Sequence, residues 1–454
     1  MSLFGTDGVR GVANVSLTSD LALKLGRATG LWLQKHNGKG IVICRDTRKS
    51  GSMLAAALSS GFCSVGIDVA TLGIAPTPAA SYIVRSNDFD LAAVISASHN
   101  PPRDNGIKFF DKNGRKLSEK QEKEVENIFE EVEYFPTENI GVIERKESLL
   151  KDYLEWLRGF LKNDSKSLKI VVDAANGGAS YLVQELFSKS DMDVRFYGCE
   201  PDGENINVNC GATSPETIRR LTVEEGADIG IAFDGDADRC IFCDERGNLI
   251  NGDRFMGIWA VHQKNKNRLE PPIVVGTVMS NTAFENALKS YNIQFIRTPV
   301  GDRNVSQKME ELQAKIGGEQ SGHIIFGDFV PTGDGFFTAL QMISILQETK
   351  LPASKLPPLY DNMPQILVNV RVEDRNWESK PRIVRIVENA KEELSSCGRI
   401  VLRASGTQPV IRVMVEAKDI NLRDSITKQI VDALISECKG CVASSTDLTN
   451  SLGE

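Results

Sequence analysis

The chain has 454 residues, 41% of them hydrophobic and 25% charged, which is enough material for three or four domains and too much for one core. A net charge of -8 and a pI near 5.4 exclude a general nucleic-acid or anionic-membrane binder, because such proteins need a basic face. Any anion must therefore be held by local Arg and Lys side chains.

No basic region followed by an apolar stretch opens the chain, and no run of about 18 apolar residues occurs, so a soluble, cytoplasmic protein is expected. Nine cysteines scattered over this length suit reduced thiols better than a disulfide scaffold. Cys240 and Cys243 fall in an apolar run; on a strand, an offset of three puts their thiols on opposite faces, which suits a core and not a metal. Cys438 and Cys441 have the same spacing but no second half-site.

In chain order, three units share one plan. The first opens with an apolar run at 41–44, followed by a helical stretch, a strand near 67–71 and a third strand at 91–95. The second repeats this with 170–172, 194–197 and 229–233, and the third with 273–275, 294–296 and the short 314–316. Alternating strand and helix predicts largely parallel sheets. Such sheets hold ligands in the loops at the carboxyl ends of their strands. Here those loops are S-A-S-H-N-P at 96–101, D-G-D-A-D-R at 234–239 and G-G-E-Q-S-G-H at 317–323.

The fourth unit differs. Strands at 366–372, 399–402 and 410–415 and helices at about 381–394 and 425–438 predict a small α+β layer behind a linker carrying Pro352, Pro357, Pro358 and Pro364. The expected division is 1–148, 149–253, 254–360 and 361–442, with a disordered polar tail at 443–454. The fold class is α/β: three similar mixed α/β/α domains plus a C-terminal α+β domain.

Each loop carries its own chemistry. Asp234, Asp236 and Asp238 sit two apart after a strand, with Gly235 and Ala237 letting the turn tighten, so three carboxylates can converge on one hard cation. Ser98 follows a strand and precedes two prolines that forbid an immediate helix, which presents its hydroxyl at a loop tip as a nucleophile or phosphate carrier. A Ser-His-Asp hydrolase is disfavoured, since G-x-S-x-G is absent and His99 is adjacent to Ser98. Lys108 and Arg10 lie beside Gly-bearing turns and can offset charge on a transferring phosphoryl group; Lys108 can also move a proton. Glu319, Ser321 and His323 alternate along a Gly-rich segment, a carboxylate and hydroxyl suited to sugar hydroxyls. Arg403, Ser405, Gly406 and Thr407, with Arg412 on the next strand, read as a phosphate clamp.

Together these loops, with F-G-T-D-G-V-R-G at 4–11, resemble the alpha-D-phosphohexomutase superfamily over essentially the whole chain before the tail, with the motifs in the family order. The resemblance implies a heart-shaped, four-domain enzyme, an intramolecular phosphotransferase of the isomerase class, with a central cleft. Ser98 would be the phosphoserine, and Asp234, Asp236 and Asp238 would bind one Mg²⁺ together with its phosphate. Glu319, Gln320 and Ser321 would hold the sugar, while Arg403, Ser405, Gly406, Thr407 and Arg412 would hold the non-reacting phosphate. Arg10, Lys108 and Arg239 would line the reaction centre, with Lys108 and His323 as acid/base candidates.

Gln320 after Glu319 is similar to the phosphoglucosamine mutase branch, which interconverts glucosamine 6-phosphate and glucosamine 1-phosphate through glucosamine 1,6-bisphosphate on the way to UDP-N-acetylglucosamine and the bacterial wall. A phosphomannomutase/phosphoglucomutase is the alternative. The superfamily's phosphate loop usually reads S-G-T-E-P; Gln408 here removes a charge. The partner implied is a hexosamine phosphate, with no nucleic acid and no membrane; a homodimer is left open. The rivals are a metal-dependent phosphomonoesterase on the same loops and, in another class, a non-catalytic sugar-phosphate-binding protein.

Overall fold

The computed structural model describes residues 3–5, 7–133, 138–161, 168–395, 397–405 and 409–449. Four sheets follow one another along the chain. In the first, Gly40–Arg45 pairs in parallel with Asp68–Ile74 and Leu91–Ile95, and Asp104–Asp111 then Val9–Val12 add antiparallel on one side. Ile143–Arg145 closes the other edge. Leu91–Ile95 is buried throughout, as an all-apolar strand in the middle of a covered sheet must be.

The second sheet runs Leu249–Ile250, Cys240–Asp244, Ile229–Phe233, Lys169–Asp173, Asp193–Tyr197. The third runs Gln294–Thr298, Ile273–Thr277, Ile316–Gly318, Ile324–Phe326. Both keep a parallel centre, and each adds an antiparallel strand directly after its functional loop. All three sheets are therefore mixed, with the returning strand carrying the chain back from each loop. Cys240 and Cys243 face opposite sides of their strand and enter two different apolar clusters.

Helix boundaries follow local chemistry. Ser118 and Gln121 form a reciprocal capping box on Glu119–Glu131. Pro215 and Pro381 stand at the first positions of their helices, where the missing N–H costs nothing. Among the described residues no helix is long and apolar enough to cross a membrane.

One large apolar cluster runs from Val42 of the first unit through Phe233 of the second to Phe336 and Leu356 of the third, so the first three units share a core. The fourth has its own, from Val368 to Cys438, and meets the third through a small patch of Met279, Leu367, Met414 and Leu448. Polar bonds reinforce that contact: Arg399 pairs with Glu416 at 3.1 Å and donates to the Val278 carbonyl at 2.6 Å, and Gln365 donates to the Met279 carbonyl at 2.9 Å.

The fourth sheet corrects the expected tail. Cys441–Asp447 is an edge strand paired antiparallel with Gln365–Arg371, and residues 450–454 lie outside the described residues. Its side chains are exposed, so the strand is held by its backbone ladder and leaves no apolar pattern in the sequence.

Candidate active site

The loops of all four units meet at a cavity of about 750 Å³. Arg10, Ser98, Asp238, Arg239, Glu319, Gln320, Ser321, His323, Arg403 and Arg412 line it, so ten of the expected residues from five separate stretches of the chain surround one cavity. Asp234, Asp236 and Lys108 lie just beneath, with at most 1% of each exposed.

The serine loop and the aspartate loop touch directly. Ser98 is buried with φ of 51°, a left-handed conformation that costs a residue with a side chain on the order of 1 kcal/mol and needs support from its surroundings. Its Oγ donates to Asp234 Oδ2 at 2.6 Å, and His99 Nδ1 stands 3.3 Å away. Gly235 has no side chain for a spatial reason, since a Cβ there would come within 2.5 Å of the Ser98 carbonyl oxygen.

Asp234, Asp236 and Asp238 bring carboxylate oxygens within 4.8 Å of one another. Asp236 Oδ1 and Asp238 Oδ1 are buried and have no hydrogen-bond partner among the described residues. Burial, then the Asp238 and Asp236 charges, holds the Asp234 carboxyl well above the usual range. Three desolvated carboxylates with unspent oxygens form a donor set that fits a small divalent cation.

Lys108 counters part of this charge, with Nζ 3.0 Å from Asp236, 3.4 Å from Asp7 and 3.6 Å from Asp238. Burial pulls its ammonium down, but Asp236, Asp7 and Asp238 outweigh burial and push it up, so Lys108 is charged. His323 accepts a hydrogen bond from the Gly333 N–H on Nε2 at 3.0 Å, which leaves the ring proton on Nδ1, 3.6 Å from Asp238 Oδ1. At 3.6 Å the Nδ1 contact is too long for a hydrogen bond, so the ring faces Asp238 and leaves its Oδ1 unspent.

The opposite wall is the fourth sheet. Arg403 and Arg412 are cross-strand partners, and neither forms a salt bridge among the described residues. Burial, then the neighbouring Arg412, pulls the Arg403 guanidinium down, as expected for two cations waiting for an anion. Ser405 is buried at the end of the same strand; Gly406, Thr407 and Gln408 lie outside the described residues. Between the walls, both amide atoms of Gln320 and the Ser321 hydroxyl are buried without a partner among the described residues, while Glu319 Oε1 accepts from the Gly301 N–H at 3.0 Å.

Sequence reasoning missed an ionic bridge in the floor. Lys116 pairs with both Asp7 and Asp302, the latter at 2.7 Å, and Asp7 also holds Arg10. These residues come from three distant segments, and only Asp7, inside the 4–11 motif, carried any signal.

The chain matches "Phosphoglucomutase/phosphomannomutase, alpha/beta/alpha domain I" over residues 1–135, domain II over 151–247, domain III over 251–363, and the C-terminal domain over 367–433. It is 46% identical over 440 residues to a phosphoglucosamine mutase of Thermoanaerobacter sp. (strain X514), covering 95% of this chain and 98% of that protein. It is 44% identical over 443 residues to one of Bacillus cereus (strain G9842), covering 96% and 98%. Among solved structures, a phosphoglucomutase/phosphomannomutase family protein from Burkholderia thailandensis superposes with a TM-score of 0.81 at 24% identity, covering 98% of this chain and 99% of that one. Aspergillus fumigatus N-acetylphosphoglucosamine mutase, solved with GlcNAc-6P and magnesium, gives 0.67 at 18% identity, covering 96% of each chain. Likeness at that identity speaks to fold alone.

Proposed function

The chain belongs to the phosphoglucomutase/phosphomannomutase family, and from that premise we propose how its site works as a phosphoglucosamine mutase. It is an isomerase of the phosphotransferase type, interconverting glucosamine 6-phosphate and glucosamine 1-phosphate.

Ser98 is the phosphoryl carrier in this reading. In the first transfer the Oγ–P bond of phospho-Ser98 breaks as the substrate's O1 bonds to phosphorus, giving glucosamine 1,6-bisphosphate and a free serine. After the bisphosphate turns over in the cleft, Ser98 Oγ takes the phosphoryl group from O6, which leaves glucosamine 1-phosphate. In each transfer the proton lost by one hydroxyl ends on the other, so one shuttle group suffices. Lys108 and His323 are the candidates, and Lys108 enters charged.

Asp234, Asp236 and Asp238 would hold one Mg²⁺, which when bound offsets the charge of the moving phosphoryl group. Arg10 and Arg239 line the same end of the cavity and add positive charge there. Arg403 and Arg412, with Ser405, Gly406 and Thr407, grip the phosphate that is not reacting. Glu319, Gln320 and Ser321 face the sugar between the two ends.

The observation that carries this reading is the 2.6 Å contact of Ser98 with Asp234 in a cavity whose other wall presents two arginines that form no salt bridge among the described residues. A site with an acceptor at one end and an anion clamp at the other fits a substrate that must be read in two orientations. The test is Ser98→Ala assayed with glucosamine 6-phosphate, Mg²⁺ and a trace of bisphosphate. Loss of isomerisation in a folded variant supports the assignment, and near-normal turnover overturns it.

A further inference from the structure

Beneath the serine loop lies Arg48, 0% exposed at its side chain, a depth at which a guanidinium survives only if every N–H finds an acceptor. All of them do. Nε donates to Asp46 Oδ2 at 2.9 Å, Nη1 to the carbonyls of Pro101 and of Asp104 (2.9 Å), and Nη2 to the carbonyls of Ser98 (2.9 Å) and Asn100 (2.8 Å). Four of the five acceptors are backbone oxygens of the serine loop and the turn after it.

The carboxylate that neutralises Arg48 also reaches the other side of Ser98. Ser96 Oγ donates to Asp46 Oδ2 at 2.6 Å and accepts the Ser98 N–H at 2.9 Å. The Ser98 peptide is thus held at its N–H through Ser96 and at its carbonyl by Arg48. Asn207, from the second unit, donates to the same carbonyl at 2.9 Å, filling its second lone pair. These bonds surround the one residue of the loop that stands at φ of 51°.

We infer that Arg48, with Asp46 and Ser96, is a positioning residue for phosphoryl transfer, clamping the Ser98 backbone in the left-handed conformation that aims its hydroxyl at Asp234. Direct contact with a phosphoryl group is ruled out by the accounting: no N–H of Arg48 is left to donate, and Asp46 balances its charge. Arg48 acts from behind the loop, through carbonyl oxygens. A lysine has no fork with which to replace it. The inference rests on Ser98 being the carrier.

The test compares Arg48→Lys, Ser96→Ala and Ser98→Ala in the full chain with Mg²⁺. It reads kcat and KM for glucosamine 6-phosphate, the melting temperature, and the rate at which glucosamine 1,6-bisphosphate phosphorylates the protein, followed by intact mass. Misplacing the hydroxyl should lower kcat and the phosphorylation rate about a hundredfold in Arg48→Lys and about tenfold in Ser96→Ala, with KM within about twofold. Ser96→Ala removes one hydroxyl and keeps the fold, so it decides the matter if Arg48→Lys does not fold. A folded Ser96→Ala or Arg48→Lys with wild-type kcat and phosphorylation rate overturns the positioning role. If Ser98→Ala itself turns over normally, the carrier assignment fails instead.

Discussion

Ser98 Oγ lies 2.6 Å from Asp234 Oδ2, although 136 residues separate them and they belong to different sheets. The contact joins a loop serine held at φ of 51° to the acidic triad found among the described residues. Losing the hydroxyl should therefore end turnover without unfolding the chain. Ser98→Ala is expected to lower kcat at least about a thousandfold while far-UV circular dichroism and the melting temperature stay near wild type.

The unspent oxygens of Asp236 and Asp238 make metal binding a stabilising event. Chelator-treated protein should be inactive and regain activity with Mg²⁺. Its melting temperature should rise with added Mg²⁺, by an amount corresponding to about 2.7 kcal/mol at one hundred times the dissociation constant. Asp236→Asn removes one of the three carboxylates that would hold the cation, so the Mg²⁺-dependent rise should disappear in that variant. Differential scanning fluorimetry with and without Mg²⁺ measures both.

Arg412 lines the cavity beside Arg403 on neighbouring strands, on the wall opposite Ser98. Arg412→Ala should weaken substrate binding by about 2 kcal/mol, roughly a thirtyfold rise in KM, and leave phosphorylation of Ser98 by bisphosphate less affected. Steady-state kinetics beside isothermal titration with glucosamine 6-phosphate separates the two effects.

Asp334, which is buried and does not line the cavity, gives a pH signature of its own. Burial pushes its carboxyl from the ordinary 3.8 up to about 7, against the opposing bonds from the Phe337 N–H and the Tyr153 hydroxyl. Below about pH 4 the proton is bound in folded and unfolded chains alike, and its full stabilising effect is present. Between about 4 and 7 the unfolded chain releases the proton while the folded one keeps it, so stability falls by on the order of 4 kcal/mol. Asp334→Asn keeps a helix N-cap and should flatten that decline in urea unfolding measured from pH 4 to 8.

The three chemistry-bearing loops were legible because each follows an apolar run and breaks it with residues a strand does not need: Ser98 before two prolines, Asp234 to Asp238 at alternate positions, Glu319 to His323 among glycines. What stayed hidden was decided by packing. The R-D-T-R segment at 45–48 is four polar residues after an apolar run, and nothing in it says that Arg48 and Asp46 are buried under the serine loop. Lys116 and Asp302 look like ordinary charges until the first and third units are brought together. The strand Cys441–Asp447 has no apolar alternation, because an exposed edge strand is specified by the backbone of its neighbour.

The most direct test of the account is isomerisation of glucosamine, glucose and mannose 6-phosphates in parallel, with Mg²⁺ and a trace of sugar bisphosphate, while free phosphate is monitored. The account predicts clear preference for glucosamine 6-phosphate, conversion to the 1-phosphate and almost no phosphate released. Preference for glucose or mannose would contradict the assigned substrate, and steady phosphate release without isomerisation would contradict the mutase itself.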